Sequence, residues 1–539
     1  MTELDIERRF AAALALQRKG KQAAAKDEYE RIIAVRPDHI DSLNNLAVIE
    51  WTRKDLVKAL DLFGRVIALA PTNAVYLRSL GQLLNDMAAY ERAAKAFELA
   101  AKLAPADELS WHYLGVTFFH LERWDDAVAA SLKAIELNSK NADAFQNLAV
   151  SLAALRDFAR AAELLQEAVR LDPRSFGAWY NLGNQLLMLN RFDAAADAFR
   201  RSIALQPNRA DAHLNLAIAL LTEGKLKQGW REFEWRWQSE HMRNQLRPAA
   251  LPRWDGTRKA RTILLHAEQG LGDTLQFCRY APLVSARGHE VVLEVQPELV
   301  GLIDHNLASD SLRVVPRALD YPGVSGLPRF DALSHLMSLP GIFKTTLETI
   351  PNAPYLRAPA DKAEAWRRRL EALPDGLRVG LAWAGNPWNN SRVVDAWRSM
   401  PLATIAPLLA TPGLTFVSLQ KGEAARQLRE ARPTSCHDMT AELTDFSETA
   451  ALIANLDLVV CVDTAVAHLA GAMGKPVWML SRFNGCWRWF TERADSPWYP
   501  TMRIFRQQGD RSWPRVVDEV QHALGRWAEE QRPRASSAA

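Results

Sequence analysis

Alanine recurs at Ala25, Ala59, Ala93, Ala127, Ala161 and Ala195, each step being 34 residues, and Gly229 falls on the next step. Four places after each stands a bulkier apolar residue: Tyr29, Phe63, Phe97, Leu165, Phe199 and Phe233, with Ser131 the one exception. Proline keeps the same period at Pro37, Pro71, Pro105, Pro173 and Pro207, and Ser139 stands where one is missing. Upstream, Ala13, Ala47, Gly81, Gly115, Ala149, Gly183 and Ala217 hold a second small position. A period in this range means stacked supersecondary units. Each unit reads as two antiparallel helices. Small residues let the helices approach closely, the aromatic fills the remaining space, and proline ends the second helix. Residues 1–236 are thereby committed to an all-helical array of six repeats, with a partial seventh that starts near Asp211 and runs into GWREFEWRW.

The pattern resembles the tetratricopeptide repeat, whose arrays form a superhelix with a groove that binds peptide or protein. Two places before the upstream small residue stand Asn45, Asn147, Asn181 and Asn215, with Ser79 and Tyr113 between them. In arrays of this type that position faces the groove. A row of amides can hydrogen-bond an extended peptide backbone without reading its side chains. The row resembles the asparagine ladder of the protein O-GlcNAc transferases. The plainer reading is that these asparagines cap or bridge neighbouring helices.

Trp230, Phe233, Trp235 and Trp237 are too aromatic for a free linker and read as a capping helix that docks on the next domain. Residues 237–260 are polar with two prolines and read as an irregular connector pinned by Trp254. Beyond it, short apolar runs alternate with helical stretches, the pattern of a parallel sheet with crossover helices. In a first half, 261–360, the strands are Thr262–Leu265, Val291–Val295, a run near Leu312 and another at Phe330–Ala332. Gly270 and Gly272 read as a tight turn, and Asp273 starts a helix that runs to about Arg287. In a second half, 361–531, Arg378–Trp383, Leu414–Leu419 and Leu456–Val462 are strands. Ser399 reads as the cap of a helix at Met400-Pro401. The last helix, from Trp513 to about Gln531, is expected to pack across the seam between the halves, and 532–539 has the composition of a frayed tail.

Three successive strand ends of the second half carry polar or basic residues: Asn386 and Arg398, then Gln420 and Lys421, then Asp463, Thr464 and His468. Open α/β sheets bind ligands at that edge, where a helix N-terminus offers N–H groups to an anion. Convergence there marks a site more strongly than any one residue does. Alone, Asp273 reads as a helix N-cap, and His468 as a structural histidine.

The motifs in order resemble the heptosyltransferase-like enzymes of glycosyltransferase family 9. GLGDTLQFCRYAPL resembles the loop that opens the N-terminal half of those enzymes, GLAWAGNP and DAWRSMPL the segment that holds the donor diphosphate, and VDTAVAHLAGAMGKPVW the motif that contacts donor sugar and phosphates. Ala465 replaces the glycine usual there. The resemblance implies a GT-B-like pair of Rossmann-like halves. It also implies that Asp273 is the catalytic base and that Gly272, Asn386, Arg398, Gln420, Lys421, Asp463, Thr464, Ala465 and His468 bind the donor. Inversion and independence of a metal follow from the same resemblance. No cofactor is expected beyond the nucleotide-sugar co-substrate. Arg482, Arg488 and Arg503 are candidate anion contacts, each also readable as an ordinary ion-pair residue.

A net charge of +3 is too small to argue for a nucleic-acid partner or an acidic membrane surface. Four scattered cysteines with no C-x-x-C spacing argue against a disulfide framework or zinc site. No run approaches the roughly 18 apolar residues of a membrane span, and the N-terminus lacks a signal-peptide pattern. A cytoplasmic protein is expected, with attachment to a membrane through a partner left open. The reading is a glycosyltransferase whose array recruits a protein or glycan acceptor. The alternative is a scaffold whose transferase-like domain has lost activity, which Ala465 favours.

Overall fold

The computed structural model describes residues 2–239, 252–317, 327–385 and 397–531. These form two compact units. One comprises the residues up to Leu189 with Arg200–Pro207; the other comprises Asn190–Phe199 and the described residues from Asn208 onward. The 34-residue pattern runs past that division, since the repeat helices Ala210–Thr222 and Leu226–Phe233 belong to the second unit.

In the first unit the first repeat pairs Glu3–Arg18, 16 residues, with Gln22–Val35, and later repeats supply a helix of 13 residues and one of 14, as in Ile40–Thr52 with Leu56–Leu69 and Ala74–Asp86 with Tyr90–Leu103. Many first helices start at a side-chain cap, such as Asn73, Asn141 and Ser175. Ala59, Phe63, Ala93 and Phe97 are fully buried. A methyl group added to Gly81 would lie 2.7 Å from the ring of Phe97, so the small position and the aromatic one are two sides of one contact. The turns inside the repeats share a feature that hydrophobic patterning does not reveal. Gly20, Lys54, Ala88, Glu122, Arg156, Asn190 and Gly224 all have positive φ, between 55° and 79°, at the same 34-residue period. Only the glycines and Asn190 are residue types that adopt this conformation readily.

The second unit holds two parallel sheets. The first has the order β3-β2-β1-β4, with β1 Thr262–His266, β2 Glu290–Val295, β3 Leu312–Pro316 and β4 Ala332–His335. The second has the order β10-β9-β8-β5-β6-β7, with β5 Leu377–Ala382, β6 Leu414–Ser418, β7 Cys436–Asp438, β8 Leu458–Val462, β9 Val477–Ser481 and β10 Met502–Arg506. From β5 the chain builds outward through β6 and β7, then returns to build β8, β9 and β10 on the other side. This is the doubly wound order, with its switch point between the carboxyl ends of β5 and β8. One hydrophobic core runs through both sheets and takes in Trp230 and Phe233.

Three local expectations are corrected. The helix expected to run from Asp273 to Arg287 is broken into Leu271–Phe277, a turn at Cys278–Tyr280 and Ala281–Ser285. Pro282 has no N–H to continue the ladder. Ser399 caps no helix: its hydroxyl accepts the Gly385 N–H at 3.0 Å, and the next helix, Leu402–Ile405, starts after Pro401. The final helix, Trp513–Gln531, does not cross the seam. Val516, Val520 and Leu524 pack with Val379, Leu381 and Val460 on a face of the second sheet.

The aromatic junction is built as a packed joint within the second unit. Trp230 donates its indole N–H to the Thr345 carbonyl at 3.2 Å and meets Trp487 edge-on. Trp235 stacks on His213, and Trp237 lies against His335. Trp254 is buried, with its backbone N–H on the Leu333 carbonyl.

Candidate active site

The switch point of the second sheet opens into a cavity of about 1740 Å³. Its wall includes the residues after β5 (Ala384, Gly385), after β6 (Gln420, Lys421) and after β8 (Asp463, Thr464, Ala465). Gly272 and Asp273 from the first half face them across it, with Arg398 and His468. Every expected donor-site residue except Asn386 therefore borders one space, and Asn386 lies outside the described residues. Asp211 and Leu214, on the last full repeat helix, line the same cavity.

Two short helices meet here, Leu271–Phe277 from the first half and Ala465–Ala472 from the second. Gly272 is not in a tight turn, because Gly270 and Gly272 both have ordinary negative φ and the left-handed residue of this loop is Gln269 (φ 65°). What requires glycine is proximity. A methyl group on Gly272 would lie 2.8 Å from Cδ2 of His468 and 3.6 Å from the Cα of Ala465.

Asp273 sits in the first turn of its helix. One carboxylate oxygen accepts the Gly270 N–H at 2.9 Å, and the other is paired with Arg488. Arg488 comes from the second half and is buried. It also donates to Gln276 at 2.7 Å and to the Cys486 sulfur at 3.0 Å, and it lies 4.4 Å over the Trp487 ring. Asp273 thus combines the helix-capping role with a position in the cavity wall. Arg488 is an ion-pair residue. Arg503 stacks over Phe505 and lies outside this cavity.

His468 is buried, with Nδ1 3.0 Å from the Tyr499 hydroxyl and its ring against Trp489. Burial, reinforced by Arg488 and Arg279, holds its pKa well below the usual histidine value, so the imidazole is neutral. Behind it, buried Arg279 donates to the carbonyls of Pro351 and Trp498, both at 2.9 Å, and to the Tyr355 hydroxyl at 3.0 Å. This network ties the first half to the second.

Gln420 lines the cavity, and its amide makes hydrogen bonds within the fold. Oε1 accepts the N–H groups of Trp383 and Ala384 at 2.9 and 2.8 Å, and Nε2 donates to the Lys421 carbonyl. It staples the loop after β5 to the end of β6. Lys421 reaches the Leu443 carbonyl, and Arg398 donates to the Asp463 carbonyl at 3.4 Å. Thr464 stands at the N-cap of Ala465–Ala472 without making the side-chain cap bond. Ala465 opens that helix with an ordinary backbone, so alanine in place of glycine is not strained there.

In the array, Asn45 donates to the Tyr29 hydroxyl at 3.2 Å and Asn147 lies 3.4 Å from His112 Nδ1. Each of these two side chains links neighbouring helices. Asn181 and Asn215 are half-buried at the equivalent position.

Fold and site together describe a helical repeat array followed by two Rossmann-type sheets that share one cleft. Residues 10–74, 79–142, 147–210 and 183–228 match the tetratricopeptide repeat, and residues 409–481 match glycosyltransferase family 9 (heptosyltransferase). The chain thus fuses tetratricopeptide repeats to a domain of the family 9 type. That match runs from before β6 to the end of β9, taking in Gln420, Lys421, Asp463, Thr464, Ala465 and His468 and leaving Asp273 and Arg398 outside. FlbA of Caulobacter vibrioides is 29% identical over 334 residues, which cover 57% of this chain and 54% of that protein. The chain spans about half the length of the relative it matches. Among solved structures, YrrB, described as a repeat protein with an unusual peptide-binding site, is 22% identical, with 33% of this chain and 94% of YrrB covered and a TM-score of 0.30. PilF of Pseudomonas aeruginosa is 19% identical, with 38% and 92% covered and a TM-score of 0.34. No described helix is long and apolar enough to cross a membrane, and all four cysteines are free.

Proposed function

We propose that the second unit transfers a sugar from a nucleotide-diphosphate donor to a protein or glycan acceptor recruited by the repeats. The observation that carries this reading is the convergence of the three strand-end clusters and the Asp273 loop on one cavity at the switch point. The donor lies on the second half. Arg398, Lys421 and the N-terminal end of Ala465–Ala472 face its diphosphate. Each such contact is worth only about 0.3–1 kcal/mol when exposed, so several act together in an enclosed cleft.

In the transfer step the acceptor hydroxyl attacks the anomeric carbon from the face opposite the diphosphate. The bond from that carbon to the diphosphate oxygen breaks as the new glycosidic bond forms, and the hydroxyl proton passes to Asp273. Configuration inverts, and no metal enters the step. Gly270 and Arg488 hold the Asp273 carboxylate in position. Neutral His468 serves as a hydrogen-bonding partner for donor oxygen rather than as a cation. Asn45, Asn147, Asn181 and Asn215 line the peptide path along the repeats. A cytoplasmic site of action belongs to the same proposal.

Engagement of both Asp273 oxygens favours a second reading, a non-catalytic scaffold. Substitution separates the two. In the enzyme reading, Asp273→Asn abolishes sugar transfer and leaves nucleotide binding intact. Transfer unchanged in that variant would remove Asp273 as the base.

A further inference from the structure

Six described cationic side chains border the cavity, and five are committed to the protein. Arg236 pairs with Glu268 and Glu234, Arg488 with Asp273, and Arg317, Arg398 and Lys421 donate to backbone carbonyls. Arg482 differs. Among the described residues its guanidinium has neither a hydrogen bond nor an ion pair, and its Nη1 is closed off from solvent. Arg482 is only partly exposed, and a cationic edge closed off from water is normally paired. Burial lowers its pKa, a shift that Cys486 and Asp463 offset in part.

A second unsatisfied group stands on the neighbouring strand end. β8 and β9 pair in parallel, with Val462 opposite Leu480, so Asp463 and Thr464 leave the sheet beside Ser481 and Arg482. The Thr464 hydroxyl is likewise shut off from solvent and without a partner. It stands at the start of Ala465–Ala472, where the helix presents its N–H groups. A cation, a hydroxyl and a helix N-terminus therefore border one part of the cavity, and the first two lack partners.

We propose that Arg482, with the Thr464 hydroxyl, receives the diphosphate of the ligand and is the principal cation of this site. This deepens the donor reading above and rests on it for the identity of the ligand. Arg398 and Lys421, which also hold the Asp463 and Leu443 carbonyls, stand beside it as secondary cations.

The test compares the full-length protein with Arg482→Ala and Arg482→Lys by calorimetry. The probes are UDP, GDP and ADP, the matching nucleosides, and inorganic pyrophosphate. The nucleoside diphosphate bound by the unmodified protein should bind about tenfold to a hundredfold more weakly to the alanine variant. The lysine variant should fall between, and nucleoside binding should not change. Pyrophosphate should follow the diphosphate. The thermal midpoint of Arg482→Ala should equal or exceed that of the parent, because a partly buried charge with an unpaired Nη1 has been removed; a structural arginine would lower it. If the alanine variant does not fold, Arg482→Gln carries the same comparison. Diphosphate binding unchanged by the substitution overturns the assignment and leaves the donor reading standing. Arg482-dependent pyrophosphate binding without binding of any nucleotide supports the assignment and overturns the donor reading. Binding of neither overturns both.

Discussion

Gly272 lies directly beneath the imidazole of His468, so that one added methyl group would come 2.8 Å from the ring. The two residues belong to different Rossmann-type halves, and their helices, Leu271–Phe277 and Ala465–Ala472, pack against each other. The ring cannot swing aside freely, because Tyr499 holds one nitrogen and Trp489 covers a face. Gly272→Ala should cost about 1–3 kcal/mol, the usual range for overpacking a filled site. Denaturant unfolding measures it. Adding His468→Ala should return part of the loss, and a loss unaffected by His468→Ala would show that this contact is not the cause.

Gln420→Ala leaves the buried Trp383 N–H and its neighbour at Ala384 without their acceptor. Leaving one buried donor unpaired costs about 1–3 kcal/mol. A stability loss in that range is expected, with nucleotide binding weakened indirectly through the displaced loop. Full stability with binding abolished would instead make Gln420 a direct ligand group.

Ala88 holds φ at +55° in a repeat turn where Gly20 and Gly224 stand at equivalent places. A methyl-bearing residue in this conformation is disfavoured by about 1–2 kcal/mol. Ala88→Gly should therefore stabilise the array by up to about 1 kcal/mol after the greater flexibility of glycine in the unfolded chain is counted. The thermal midpoint of the array reads it, and a lowered midpoint would contradict it.

Burial pushes the Glu268 carboxyl up to about 7 from 4.5, against the opposing pull of Arg236. The folded protein thus holds this proton more tightly than the unfolded chain. The group's contribution to stability is greatest below about pH 4.5 and is lost as pH rises through about 7, a change of up to about 3 kcal/mol. Comparing unfolding of the parent and Glu268→Gln between about pH 5 and 8 isolates the effect. The parent should lose stability relative to the variant as pH rises; parallel profiles would contradict the assignment.

The array was readable because a 34-residue period repeats the same packing contact six times, so a single substitution such as Ser131 does not hide it. The strand ends of the second sheet were readable because parallel strands are apolar throughout, which leaves polar residues to mark where they stop. What sequence concealed depends on contacts between distant segments. Gly272 looked like a turn residue because nothing near it in the chain announces His468. The stapling role of Gln420 is hidden because its two N–H partners lie about 37 residues back in the chain. Arg482 was indistinguishable from Arg488 and Arg503, since only the structure shows which of them has a partner. β7 spans three residues, too few to show a period, and the left-handed positions are marked by glycine or asparagine in only three of seven repeats.

The central claim is that the cavity at the switch point of the second sheet is a nucleotide-diphosphate site. Calorimetric titration of UDP, GDP and ADP, each with its sugar conjugates, into the intact protein and a folded Arg398→Ala, Asp463→Ala variant tests it most directly. The parent should bind one nucleotide series saturably, and the variant should lose that binding. Absence of binding across the panel, or equal binding by both proteins, would contradict it.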